Sequence, residues 1–438
     1  MPRPRASRQR ASRNARVGSR PWTNRLVIAR GVIVTFSMLT ACTSSVQIGL
    51  ATGSVRTAGD ASRSLATSSA PDPVATAALI WTQGGLPPGF ARRVARLPGV
   101  DRSVAVVAGT VWLTRSLSAS GRVVSHPRSG MAIPLDLAGA TPGDLFAFLP
   151  SKDRKLIARL AAGEAILGTT SARLRRLRTG GVLEFGARRV RVAAVVPDRV
   201  IGAHELFVSR RTAAALGIST EQYVLIQAPS GVPRGRIRRL VAAGTLMRIR
   251  GPSEAHFLRQ ADAVLPPVML KAAFGEFASS PRLLPGAWLR ISPAWQAARI
   301  VVAPVPIFGT VRCNRALVPQ LRAALQEVER RGLAPLVHTG DFGGCFAARI
   351  IPGSVGEAIS AHTWGAAIDI NVSTNEVGAM PHQDPRLVAI FKRWGFTWGG
   401  RWMRPDGMHF EFQCFPPRMS HRPVLICPPG GAVWPSGP

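Results

Sequence analysis

Two histidines and one aspartate near the C-terminus could together hold a metal ion. His362 and Asp369 lie seven residues apart in the stretch SAHTWGAAIDIN, and His409 follows forty residues after Asp369 in DGMHFE. Two imidazoles and a carboxylate are ligands that proteins give to a catalytic zinc ion, whose fourth position is left to water. We therefore expect His362, Asp369 and His409 to bind Zn²⁺.

Two short strands would present these side chains. Apolar and polar residues alternate at 367–372 and at 408–412, which is typical of strands with one face in a core. Their polar faces would carry Asp369, Asn371, His409 and Glu411. His362 has the opposite parity to Asp369 and cannot lie on the same straight strand, so Gly365 would let the chain turn between them.

The spacing of these residues resembles that of a family of zinc peptidases. The pattern Ser-x-His-x-x-Gly-x-Ala-x-Asp runs from Ser360 to Asp369, and WGGRW at 398–402 is followed by PDGMHFE at 405–411. The two segments resemble, in this order, the motifs of the D-alanyl-D-alanine carboxypeptidase family, whose relatives include D-Ala-D-Ala dipeptidases and phage L-alanyl-D-glutamate endopeptidases. The resemblance implies the same three zinc ligands.

The resemblance also implies roles for two charged residues. Asp406 lies three residues before His409, where the family has its catalytic base, and would take a proton from water and pass it to the leaving amine. Arg349 lies upstream of the first motif, where the family has an arginine that contacts the substrate and the developing oxyanion.

Other polar residues of this region are expected to support the site. We interpret Glu411 as a hydrogen-bond partner that orients His409, and the alternative is that Glu411 is the base instead of Asp406. The residues expected to line the cleft are Ser360 and Asn371. The histidines that we do not expect to be ligands are His338 and His382.

The expected fold class is α+β, in more than one domain. A chain of 438 residues exceeds one ordinary core. Helices mixed with short strands, without regular βαβ repetition, predict a zinc peptidase domain at 298–430 with a small antiparallel sheet and flanking helices. A separate mixed α/β domain is expected at 74–252, followed by a connector at 253–297, and residues 431–438 would form a tail.

Several elements can be placed from local patterns. The expected helices are 151–162, one capped by Asn314 that reaches Arg331 and stops at Gly332, and one from Asp384-Pro385 to Gly395. The expected strands are 104–113, a hairpin at 182–197 and a short strand at 336–339. In the hairpin, alternation puts Arg189 and Arg191 on one face and Val190 and Val192 on the other.

The middle of the chain resembles a different kind of protein. The segment from Gly163 through the hairpin to Leu206-Phe207-Val208 is similar to the extracytoplasmic core domain of MacB- and FtsX-like transporter subunits. This resemblance implies a scaffold or interaction module. The region has no catalytic constellation, because His126 and His204 stand alone in the sequence and are interpreted as structural.

The charge of the chain is strongly positive, at +33, and nine of its arginines lie within residues 1–41. Such a charge favours an acidic partner. Nucleic acid is not expected, because the sequence has one tyrosine and neither an RNA-binding signature nor a zinc-finger spacing. The arginine-rich runs 173–178 and 234–250 are interpreted as solvated faces, with binding of an anionic wall polymer as the alternative.

The N-terminus is typical of an exported protein. A basic segment precedes the apolar run at 31–41, which is too short to span a bilayer, and LTAC then ends at Cys42. This resembles a lipoprotein signal peptide at 1–41 with a lipidated Cys42 that attaches the chain to the membrane. An ordinary secretory signal is the alternative. Residues 42–73, rich in Ser, Thr, Ala and Gly, predict a flexible tether.

Four further cysteines lie in the C-terminal third. An even number in an oxidising compartment predicts up to two disulfides. Three pairings are possible, of which Cys313–Cys345 with Cys414–Cys427 is the most local. A zinc site made by the cysteines is the alternative, although no C-x-x-C pair occurs among them.

These observations predict an exported, lipid-anchored zinc peptidase that hydrolyses an amide next to a D-amino acid in peptidoglycan stem peptides. Carboxypeptidase, dipeptidase and endopeptidase cleavage all stay open. The alternative from another class is a non-catalytic wall-binding or scaffold lipoprotein with a vestigial peptidase domain. A third possibility is a zinc-site domain used for protein recognition, as in hedgehog signalling domains.

Overall fold

The structure is a computed structural model that describes residues 77–158, 160–251, 262, 265–354, 356–419 and 425–427. The expected signal peptide at 1–41, the lipidated Cys42, the tether at 42–73 and the tail at 431–438 lie outside these residues. Among the described helices, none is both long and apolar enough to cross a membrane.

Eleven strands of the described residues form one mixed sheet. They are β1 (Ala77–Thr82), β2 (Arg102–Leu113), β3 (Arg115–Leu117), β4 (Val123–Ser125), β5 (Ile133–Ala140), β6 (Glu164–Gly168), β7 (Val182–Phe185), β8 (Arg188–Val196), β9 (Leu206–Ser209), β10 (Glu221–Gln227) and β11 (Met247–Arg250). Their order is β11-β1-β10-β2-β5-β9-β6-β8-β7-β3-β4. Only the pairs β5–β9 and β6–β8 are parallel among these described strands.

The hairpin in this sheet follows the expected alternation. In β8, Arg189 and Arg191 are exposed while Val190 and Val192 are buried. The arginines therefore face solvent, and the valines lie in an apolar cluster with Leu206 of β9. The strand expected at 104–113 is also present, as β2.

Ten α-helices occur in the described residues. They are α1 (Phe90–Ala95), α2 (Pro142–Leu145), α3 (Ser151–Ile157), α4 (Thr169–Leu174), α5 (Arg210–Ala215), α6 (Arg234–Arg238), α7 (Pro267–Phe274), α8 (Pro293–Arg299), α9 (Val318–Arg330) and α10 (Pro385–Arg393). The helix expected at 151–162 is shorter than predicted. Helix α9 begins a turn after Asn314, whose Oδ1 accepts a hydrogen bond from the backbone N–H of Ala316, and it stops at Gly332, where φ is 67°.

The C-terminal region contains two small antiparallel sheets. Its strands are β12 (Ile300–Val305), β13 (Gly309–Asn314), β14 (Phe342–Gly344), β15 (Ala367–Ile370), β16 (Phe396–Trp398) and β17 (His409–Phe412). Strands β12 and β13 pair as a hairpin, and the other four run in the order β14-β15-β17-β16. The expected α+β class with a small antiparallel sheet is confirmed.

The prediction of a strand at 336–339 is wrong. Short helical turns occupy Ala334–Leu336 and Thr339–Asp341 instead. The backbone carbonyl of Leu336 accepts from Asn371 Nδ2 at 2.9 Å, and the N–H of His338 donates to Asn371 Oδ1 at 2.8 Å. Because the Asn371 side chain binds both of these backbone groups, neither group pairs with a neighbouring strand.

Two disulfides tie the C-terminal region together. Cys313 of β13 is bonded to Cys345 after β14, and Cys414 after β17 is bonded to Cys427. This is the most local of the three pairings considered, so the expectation of two disulfides is confirmed.

Helix α7 packs against both the large sheet and the C-terminal region. Lys271 Nζ donates to the Glu205 carboxylate at 2.7 Å, and both side chains are fully buried. On the other side of the helix, the Phe274 ring lies edge-on to Phe412, with centroids 4.7 Å apart. The described residues belong to one compact unit, and the domain boundaries expected at 252 and 297 stay predictions.

Gly365 should be more sensitive to substitution than other glycines in the same backbone conformation. Its φ is 63°, and an added Cβ would lie 2.6 Å from the Asn314 backbone nitrogen. Gly332 has a φ of 67° but open space around the same position. We expect Gly365→Ala to lower the free energy of unfolding by more than about 2 kcal/mol and Gly332→Ala by about 1 kcal/mol, as measured by denaturant titration. Equal losses would contradict this reasoning.

Acid should weaken the contact between α9 and α10. Burial alone would raise the pKa of Glu327, but hydrogen bonds from Arg393 (2.6 Å) and Trp394 (2.7 Å) outweigh it and lower this pKa below its ordinary value of 4.5. The stabilisation is therefore complete above about pH 5 and lost as the pH falls through the folded-state pKa. The stability difference between the wild type and Glu327→Gln should shrink as the pH falls below about 5. Glu329→Gln, on the exposed side of the helix, should show no such trend.

Candidate metal centre

Three side chains converge in the small C-terminal sheet. His362 Nε2 lies 3.1 Å from His409 Nδ1 and 3.1 Å from Asp369 Oδ2, while His409 Nδ1 lies 3.0 Å from Asp369 Oδ1. Among the described residues this is the group of His, Cys, Asp and Glu whose ligand atoms are close enough to share an ion. The sequence-predicted triad is thus brought together.

Strand register places two members of the triad. In the antiparallel pair β15–β17, Asp369 lies directly opposite His409, and Ile368 lies opposite Phe410. Because side chains alternate across a sheet, the two apolar residues enter the core while Asp369 and His409 share the other face. Ile368 and Phe410 are fully buried, which fixes the register by the hydrophobic effect.

The third member comes from a separate turn. His362 lies in a short 3₁₀ helix, Ala361–Trp364, whose N-terminus is capped by Ser360, since the Ser360 hydroxyl accepts from the His362 backbone N–H. Gly365 then adopts the left-handed conformation. The expected turn at Gly365 therefore brings His362 to the face of the strand that carries Asp369.

In each histidine, the ring nitrogen that points away from Asp369 has a hydrogen-bond partner that orients the imidazole. His362 Nδ1–H donates to the Cys345 backbone carbonyl at 2.8 Å, and His409 Nε2–H donates to Glu411 Oε2 at 3.3 Å. With the other ring nitrogens bonded in this way, His362 Nε2 and His409 Nδ1, which face Asp369, are the nitrogens that could bind a metal ion. Such outer partners are the usual companions of metal-binding histidines.

The donor set fits a zinc ion. Bond lengths of about 2.0–2.2 Å and tetrahedral angles set the ligand atoms of zinc about 3.3–3.5 Å apart, close to the 3.0–3.2 Å among His362, Asp369 and His409. Two neutral imidazole nitrogens and one carboxylate leave one position of a tetrahedron for another ligand.

The charges around the triad favour a cation. Burial alone would raise the pKa of Asp369, but the charges and hydrogen bonds of His362 and His409 outweigh it and hold this pKa far below its ordinary value. Burial alone would lower the pKa of His409, but Asp369 and Glu411 outweigh it and raise the pKa to about 10. Without a metal ion, the site therefore holds a proton as its positive charge.

A cavity of about 580 Å³ reaches one member of the triad, His409, and several of the other expected site residues. Its lining from the C-terminal region includes Arg349, Ser360, Asp406, His409 and Glu411. Asp406 Oδ1 is buried and has no hydrogen-bond partner in the described part of the chain. Burial raises the pKa of Asp406 above its ordinary value of 3.8, with the charge of His409 opposing the shift. This carboxylate is thus placed to exchange a proton with a bound molecule.

Asn371 differs from the expectation in its backbone. Strand β15 ends at Ile370, and Asn371 has a φ of 53°, so the alternation that would align its side chain with Asp369 stops one residue earlier. Its amide binds Leu336, His338 and Gln383. A contact between Asn371 and a substrate stays a prediction. His338 and His382 are exposed and do not belong to the triad.

The structure adds residues that the sequence reasoning missed. The Trp402 ring lies 5.2 Å from that of His409 and lines the cavity. Its position in WGGRW could have suggested this contact. Thr110 and Asp136 of the large sheet also line the cavity, and no local pattern marks them.

Comparison with known families supports a peptidase. Residues 354–412 match the family model described as D-alanyl-D-alanine carboxypeptidase. The C-terminal region resembles this peptidase family. The match spans Ser360, the three residues of the triad, Asp406 and Glu411, and it confirms the resemblance expected from the motifs. No protein of curated function matches the chain in sequence.

Two solved structures of transporter domains match part of the chain. The periplasmic region of MacB from Actinobacillus actinomycetemcomitans is 10% identical, with a TM-score of 0.27, and the match covers 41% of this chain and 89% of that chain. The extracellular domain of the noncanonic ABC-type transporter YknZ from Gram-positive bacteria is 12% identical, with a TM-score of 0.25, covering 37% and 88%. These matches agree with the expected weaker resemblance, and at such TM-scores they carry no argument about function.

Zinc affinity should depend on the triad. We expect Asp369→Ala to lower zinc affinity more than about 100-fold and Glu411→Gln by about 10–100-fold, because the first removes a ligand and the second removes the partner of one. The exposed histidines provide matched controls, since His338→Ala and His382→Ala should leave the affinity unchanged. Competition with a chromophoric chelator measures each value. Stoichiometric zinc at wild-type affinity in folded Asp369→Ala would exclude this site.

Proposed function

We propose that the chain is a zinc-dependent peptidase that hydrolyses an amide bond next to a D-amino acid in the stem peptides of peptidoglycan. The observation that carries this proposal is a cavity lined both by His409 of the triad and by Asp406, whose buried Oδ1 has no hydrogen-bond partner among the described residues. The family match at 354–412 supports the reaction class and the kind of substrate.

The proposed mechanism gives each charged group one task. His362, Asp369 and His409 would hold the zinc ion, which when bound acidifies water and polarises a carbonyl. Asp406 Oδ1 takes the proton of the attacking water and then delivers it to the leaving amine nitrogen. The raised pKa of Asp406 makes this carboxylate a stronger base than an ordinary aspartate.

Arg349 would bind the substrate at the same cavity. Its backbone is held in place, since its N–H donates to Thr363 Oγ1 at 3.1 Å and its carbonyl accepts from the Ser360 N–H at 3.1 Å. Arg349 is half-buried and lines the cavity, where its guanidinium would offer donors to a substrate carboxylate or to the oxyanion formed from the scissile carbonyl. Ser360 lines the cavity beside it.

Glu411 is proposed to orient His409. Its carboxylate accepts from His409 Nε2–H, on the side of the ring away from Asp369. That position suits a partner of a ligand better than a base, although Glu411 also lines the cavity.

The proposed setting is the outer face of the cell membrane. The signal peptide at 1–41 and a lipid on Cys42 would place the peptidase at its wall substrate. The charge of about +24 that is left without the nine arginines of the signal peptide would favour contact with anionic wall polymers. No role for nucleic acid is proposed.

Muropeptides of defined sequence test the proposal directly. Incubated with zinc-loaded full-length protein, they should lose D-alanine or be cleaved next to a D-residue, as read by mass spectrometry. Asp406→Asn should reduce turnover by about 10²–10⁴-fold with unchanged zinc content, because it removes the base and keeps the ligands. His382→Ala should retain full turnover.

Two outcomes would overturn parts of this assignment. Wall binding without turnover, unchanged in His409→Ala, would favour the alternative of a non-catalytic wall-binding or scaffold protein. Turnover lost in Glu411→Gln at saturating zinc, but kept in Asp406→Asn, would make Glu411 the base.

A further inference from the structure

The large sheet forms part of the wall of the active-site cavity. Alongside the residues of the C-terminal region, the cavity of about 580 Å³ is lined by residues of β2, β5 and the segment before β9: Gly109, Thr110, Asp136 and Glu205. Lys271 of α7 lines it as well. The wall of the cavity is therefore built by the large sheet and α7 as well as by the C-terminal region.

The sheet binds the loop that follows Arg349. The Thr110 N–H donates to the Gly356 carbonyl, and Thr110 Oγ1 donates to the Glu357 carbonyl, each at 2.8 Å. Gly109 permits this close approach, because an added Cβ would lie 3.2 Å from Gly356 Cα and 2.8 Å from an atom of Ile218. Thr110 thus fixes the backbone of the loop between Arg349 and His362.

A second set of bonds holds the loop that precedes Asp406. Arg248 of β11 donates to Asp262 Oδ1 at 2.6 Å and to the Arg401 carbonyl at 3.2 Å. Asp262 Oδ2 in turn accepts from the Met403 N–H at 2.6 Å. The Met403 side chain packs against an apolar cluster of the large sheet that includes Trp81. These hydrogen bonds therefore hold the backbone at Met403, three residues before the proposed base Asp406.

We propose that the large sheet positions the two catalytic loops, with Thr110, Arg248 and Asp262 as positioning residues for Arg349 and Asp406. This inference rests on the proposed function of the zinc site. The metal ligands are held differently, since Asp369 and His409 are paired across β15 and β17. Loosening a loop should therefore lower turnover while zinc stays bound. A misplacement of about 1 Å at a reacting group can reduce a rate by about 10²-fold.

A matched pair of variants separates positioning from general stability. Asp262 pairs with one arginine and accepts one backbone N–H, and Glu164 does the same with Arg191 and the Ala161 N–H. The two carboxylates are similarly buried, with 13% and 11% of each side chain exposed. Glu164 is not among the residues that line the cavity.

Hydrogen exchange in the full-length, zinc-loaded protein gives a readout that needs no turnover. Asp262→Ala should speed the exchange of amides at 399–406 at least about 10-fold, with α10 unchanged, because the loop loses its anchor. Glu164→Ala should leave 399–406 unchanged. Equal exchange of this loop in both variants and in the wild type would overturn the inference.

Steady-state kinetics on a muropeptide gives the second readout. Asp262→Ala should lower kcat by about 10–100-fold with a smaller change in KM and unchanged zinc content, whereas Glu164→Ala should keep the wild-type kcat. Asp262→Asn retains an oxygen for the Met403 N–H and should recover most of the loss. Wild-type kcat in Asp262→Ala would also overturn the inference. If the wild type has no turnover, the proposed function fails, and the exchange result still decides whether the sheet orders the loop.

Discussion

The register of two short strands is the constraint on which the site depends. Asp369 and His409 meet because they are direct partners across β15 and β17, and a one-residue shift of either strand would turn its member of the pair into the core. The register is fixed by Ile368 and Phe410, which are fully buried in the apolar layer on the opposite face of the sheet. The core packing and the triad therefore lie on opposite faces of the same two strands, so the packing of the C-terminal core also sets the arrangement of Asp369 and His409.

Charge balance explains why these buried polar groups can be tolerated. A carboxylate in the interior is costly unless its charge is compensated, and Asp369 lies between two imidazoles that share its oxygens. Glu411 adds a second carboxylate on the far side of His409. The resulting arrangement has an excess of negative charge that one proton partly offsets and that a divalent cation would offset fully.

The sequence predicts the clustering of His362, Asp369 and His409 well and the cavity poorly, for physical reasons. Alternation along a strand is a local rule, so the facing of Asp369 and His409 follows from the sequence. The rule fails at Asn371, because the strand ends one residue earlier and the backbone turns left-handed. The contacts of Thr110 and Arg248 with the catalytic loops join residues far apart in the chain. Such contacts arise from tertiary packing, and no spacing in the sequence records them.

The hydrogen bond between His362 and the Cys345 carbonyl makes the orientation of a candidate metal ligand depend on a disulfide bond. That carbonyl belongs to a cysteine bonded to Cys313 of β13, so the imidazole is aimed by a backbone segment that the disulfide anchors. In a reducing compartment the disulfide would be absent. The backbone carbonyl of Cys345 would then be held less firmly, and so would the His362 imidazole that donates to it. We expect oxidation of these cysteines to precede any metal binding, which would keep the proposed peptidase inactive until it has crossed the membrane.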